Sequence, residues 1–116
     1  MTTKAAAPSL KPCDTFTGSV PGRYMLSFKR EGANLVAFAY HHLAVVTLSN
    51  DKVAMIDFGN YAVQLDGEGL TYVTERIIKH EASVIYEGGE LPEEKPPVKV
   101  AKITLVDKNK EDEEDG

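Results

Sequence analysis

Hydrophobic and polar positions alternate along most of this chain. In "RYMLSFK", Tyr24, Leu26 and Phe28 fall on one side and Met25, Ser27 and Lys29 on the other, which predicts a strand with one buried face. "REGAN" then supplies Gly32 and Asn34 for a turn. "LVAFAY" is apolar on both faces, with Val36, Phe38 and Tyr40 on the bulkier side. "LAVVTLS" sets Leu43, Val45 and Thr47 against Ala44, Val46 and Leu48, and "SNDK" turns the chain, since Asn50 and Asp51 suit tight turns. "VAMIDF" resumes the alternation, with Ala54, Ile56 and Phe58 opposite Val53 and Met55. Gly59 and Asn60 form a two-residue connection. "YAVQLD" places Tyr61, Val63 and Leu65 inside and Ala62, Gln64 and Asp66 outside. Five strands joined by short turns predict an antiparallel meander.

After residue 66 the period changes. Leu70, Val73, Ile77 and Ile78 fall at helical spacing, and Thr71, Glu75, Arg76 and Lys79 lie off that stripe. The expected helix runs from Leu70 to Glu81, about 18 Å at ~1.5 Å per residue, long enough to lie across one face of a small sheet. "SVIYEGG" returns to strand, "GGELPEEKPP" has nothing to bury, and "VKVAKITLV" alternates again. The fold class that follows is α+β: an antiparallel meander of five to six strands, with a curled half-barrel as one form it can take, and one amphipathic helix on one face. The expected organisation is a disordered leader over 1–14, one domain over 15–90 and a Pro/Glu linker over 91–97. An extra strand over 98–106 and a disordered acidic tail over 107–116 complete it.

Composition narrows the function classes. The chain has 116 residues, formal net charge −5 and a single cysteine, Cys13. One domain is the expectation at that length, with a modest buried fraction. One cysteine allows no disulfide within the chain and no multi-thiolate metal site; its polar surroundings suggest an exposed thiol. Nucleic acid and anionic membranes need clustered Lys and Arg. Here Arg23, Lys29 and Arg30 gather at one end only, so the aromatic side chains read as core packing rather than a stacking platform for single strands. No apolar run is long enough to span a bilayer and no secretory signal pattern is present, so the expected compartment is the cytoplasm.

The stretch "DGEGL" raises a phosphate loop for consideration. The third glycine of a dinucleotide fingerprint is replaced by Tyr72, Leu70 stands where a P-loop needs lysine, and Asp66 and Glu68 put acid where phosphate would sit. The loop therefore reads as a bend, with Asp66, Glu68 and Thr71 near the helix start, where such side chains satisfy free N–H groups. His41 and His42 are adjacent, so on a strand they would face opposite ways, and no zinc-type ligand spacing accompanies them. No nucleophile elbow is present. Asp57 is the one acid inside an apolar strand.

The sequence thus leads to no catalytic, cofactor-binding or metal-ligating residue. It points to a non-enzymatic interaction or regulatory module that self-associates or binds a protein partner. Val36, Phe38 and Tyr40 are the expected interface, because one helix covers only one face of such a sheet. The alternative is a small-ligand or enzymatic site built from Tyr40, His41, His42 and Asp57. A weak single-stranded nucleic-acid binder is a second alternative. No residue motif ties the chain to a family.

Overall fold

The computed structural model describes residues 10–16 and 25–108. Nine strands and one helix follow in order: β1 (Cys13–Thr15), β2 (Met25–Lys29), β3 (Leu35–Ala39), β4 (Val45–Ser49), β5 (Val53–Asp57), β6 (Tyr61–Glu68), α1 (Thr71–Ile78), β7 (Ala82–Tyr86), β8 (Glu90–Leu91) and β9 (Val98–Asp107). The chain is an α+β fold, as the periodicity predicts. Its strands divide between two open sheets, of order β1-β7-β2-β3 and β4-β5-β6-β9-β8. All pairings are antiparallel except β2 with β7. The division falls at "YHH", a single 3-10 turn over Tyr40–His42 that carries the chain from the edge of the first sheet to the edge of the second.

One core joins both sheets and the helix. Leu26, Phe28 and Ile85 from the first sheet meet Ile56, Val63, Leu65 and Val100 from the second, with Leu70, Val73 and Ile77 of the helix region. Each of these side chains is essentially fully buried, a contribution of about 2 kcal/mol apiece. Ile78, expected in the helical stripe, is 59% exposed. Thr74 is buried in its stead, and its Oγ–H donates to the Leu70 carbonyl at 3.0 Å. Tyr61 also differs from expectation: it is largely exposed, whereas Ala62 is buried.

The helix is shorter than its periodicity suggests, and both ends have identifiable causes. At the start, the Asp51 carboxylate accepts from Thr71 N–H at 2.7 Å and Thr71 Oγ–H at 2.6 Å, and the Asp51 carbonyl accepts from Leu70 N–H. The cap therefore comes from the β4–β5 turn and not from Asp66 or Glu68. At the end, His80 takes a left-handed φ of 60°, His80 N–H bonds the Ile77 carbonyl and Glu81 N–H bonds the Arg76 carbonyl. That is a Schellman closure with histidine where glycine is usual.

The segments expected to lie outside the domain take part in it. Cys13, 8% exposed, belongs to β1, which pairs with β7. Its thiol is buried rather than exposed, and burial raises its pKa. Leu91 of the expected linker joins Glu90 in forming β8. β9 pairs with β6 along its length and with β8. The expected tail over 107–116 starts too early, since Asp107 ends β9 and Lys108 bonds Asp57; the leader before residue 10, residues 17–24 with the expected strand residue Tyr24, and the acidic run after residue 108 lie outside the described residues.

Candidate functional site

The residues singled out as a ligand site sit at the corner where the chain leaves the first sheet. Tyr40 is buried, and its hydroxyl donates to the Ala82 carbonyl at 2.6 Å. Burial, opposed by that hydrogen bond, pushes the phenol well above its ordinary range. The ring stacks on His80 at 4.4 Å between centroids and meets Phe16 at 6.4 Å. Tyr40 is thus a bolt between the corner, β7 and the helix end, with its polar atom already engaged. His41 and His42 are both exposed and touch edge to face at 4.3 Å. A 3-10 turn replaces the strand that would have sent them to opposite faces.

Asp57 points to a different partner. Its Oδ2 accepts from Lys108 Nζ at 2.7 Å and its Oδ1 from Gly59 N–H at 2.8 Å. These two donors, Lys108 foremost, hold its carboxyl below the usual aspartate range. Asp57, Ala62 and Val106 lie side by side across β5, β6 and β9. Two of the four polar groups are thus bonded elsewhere, Tyr40 to Ala82 and Asp57 to Lys108. Among the described residues no group of His, Cys, Asp and Glu is arranged to hold a metal ion.

The backbone of the "DGEGL" bend is tied into the fold. Gly67 N–H donates to the Lys52 carbonyl at 2.9 Å. A Cβ on Gly67 would overlap the Lys99 carbonyl, and one on Gly69 the Pro97 carbonyl. The two glycines permit close approach of backbone to backbone rather than to a ligand.

Among the described residues, two strand edges have no neighbouring strand and no charge of their own. β3 ends the first sheet and β4 ends the second, and residues 34–50, which contain both, include no Asp, Glu, Lys or Arg. Strand edges exposed to water are usually guarded by charge, proline or brevity. By contrast, β1 and β8 at the other two edges have three and two residues, and Asp14 and Glu90 lie within them. The residues expected to form the interface turn partly inward. Phe38 stacks on Phe58 at 4.5 Å, Val36 is half-buried, and Tyr40 is buried. The outward side of β3 is carried by Leu35, 55% exposed, and Ala37, with Met25 on neighbouring β2 47% exposed. The sequence signal for this is the absence of charge over 34–50, which alternation alone does not pick out.

No protein-family model, curated protein or solved structure matches this chain. No helix among the described residues is long and apolar enough to cross a membrane.

Proposed function

We propose that this protein is a non-enzymatic, cytoplasmic interaction module that acts by self-association. The single observation that carries the reading is the uncharged run over 34–50, laid out as the edge strands of both sheets. Unpaired backbone N–H and C=O groups on such edges accept a further strand, and no side-chain charge opposes it. The alternative built on Tyr40, His41, His42 and Asp57 receives no support from the geometry, because two of its four polar groups are bonded elsewhere.

Sedimentation velocity over a dilution series tests the reading. The expected result is a dimer at about 100 μM that dissociates on dilution, since interfaces of ordinary size span micromolar affinity and tighter. Substituting both His41 and His42 by Ala leaves that equilibrium unchanged. A monomer at every concentration overturns the proposal.

A further inference from the structure

We infer that two copies of this chain join β3 to β3, antiparallel, about a two-fold axis at Ala37, and so fuse their first sheets into one. This rests on the self-association reading and goes further, by naming the strand and the register. Three observations single out β3. The first is length: β3 and β4 are the five-residue edge strands, whereas β1 and β8 are shorter. The second is surroundings: α1 packs beside β4, as it does beside β7, so a strand arriving at β4 has the helix as a neighbour. β3 makes its main contacts with β2.

The third observation is the sequence of the strand itself, "LVAFA". Antiparallel pairing about Ala37 sets Leu35 against the partner's Ala39, Val36 against the partner's Phe38, and Ala37 against its own copy. Every large side chain then meets a smaller one, and no charge meets a like charge. The β2–β3 register extends the match, because Met25 lies opposite Ala39 and Lys29 opposite Leu35. Across the axis the outer row becomes Lys29, Leu35, the partner's Ala39, the partner's Met25. Small Ala39 leaves a gap over which exposed Leu35 and exposed Met25 of the other copy close. Two of the large apolar side chains that this fold leaves in water are thereby covered. Four strands from each copy make one continuous sheet across the axis.

Opposed residues in an antiparallel pair have Cα atoms about 4.5 to 5.5 Å apart, which lies within reach of a disulfide. The full chain carrying Ala37→Cys is therefore expected to form a disulfide-linked dimer under mild oxidation, and the chain carrying Thr47→Cys, at the middle of β4, to remain uncrosslinked. Ala37→Lys places two ammonium groups on the axis and is expected to weaken the dimer at least about a hundredfold, with circular dichroism unchanged. A wild-type chain that is monomeric throughout overturns self-association and this pairing together. A wild-type dimer that survives Ala37→Lys intact, or that crosslinks through Thr47→Cys instead, leaves self-association standing and overturns the β3 pairing. If Ala37→Lys unfolds the chain, the cysteine pair alone decides.

Discussion

Asp51 has two roles at once. Its φ of 63° closes the β4–β5 turn, and its carboxylate caps α1 across twenty residues of sequence. Asparagine tolerates the same backbone and keeps an accepting oxygen. Asp51→Asn is therefore expected to leave stability nearly unchanged, and Asp51→Ala to lower it by about 1–2 kcal/mol, as read from chemical denaturation at fixed protein concentration. Glu87 is the second residue of this kind. Its two oxygens accept from Ile103 N–H in β9 and from Glu31 N–H in the β2–β3 turn, both at 2.8 Å, so it ties one sheet to the other. Those bonds, Ile103 foremost, hold its pKa below the ordinary 4.5. A carboxylate with a lowered folded pKa adds stability above its unfolded pKa and loses it as pH falls through the folded one. Glu87→Gln is thus expected to be less stable than the wild type at neutral pH. The gap should narrow below 4.5, which thermal unfolding from neutral to about pH 3 measures. Neither role is legible in the sequence: an acid in a turn and an acid before two glycines look like solvent-facing residues until their distant partners are placed.

At the level of elements, alternation identified the strands but not every phase. In β9 the buried residues are Val98 and Val100, then Ile103. The phase changes because Asp66 pairs with Lys102 and Gly67 with Val100, leaving Ala101 as an extra residue in a bulge. The sequence pattern treats Ala101, Ile103 and Leu105 as one face; the bulge sends Ala101 out, where it is exposed. Gly67 is the glycine that this bulge requires, since any Cβ there meets the Lys99 carbonyl. Gly67→Ala is expected to cost about 1–3 kcal/mol, the usual range for forcing extra atoms into a packed site, seen as a lower denaturant midpoint. The helix end was illegible for a related reason. No glycine marks it, and His80 holds the left-handed position, with its ring stacked on Tyr40.

For the whole molecule, the α+β class, the α1 region and most strands follow from hydrophobic period, whereas the split into two sheets does not. Local alternation reads the same whether the next strand pairs in the same sheet or starts another. The turn at Tyr40–His42 that separates the sheets is set by Tyr40 bonding to Ala82, a contact between distant segments. The interface expectation shifts for the same reason: Val36 and Phe38 are drawn toward the core once the second sheet lies beneath them, and Leu35 and Ala37 are left outside.

The place of β9 between β6 and β8 has a consequence for how the chain is made. β6 is complete at Glu68, but its neighbour on that side is Val98–Asp107. At ~10 residues per second, the nascent chain carries an open β6 edge, with Val63 and Leu65 along it, for on the order of seconds. In that interval the edge is an invitation to a chaperone, or to the same strand on a neighbouring ribosome, and the arrival of the late strand ends it.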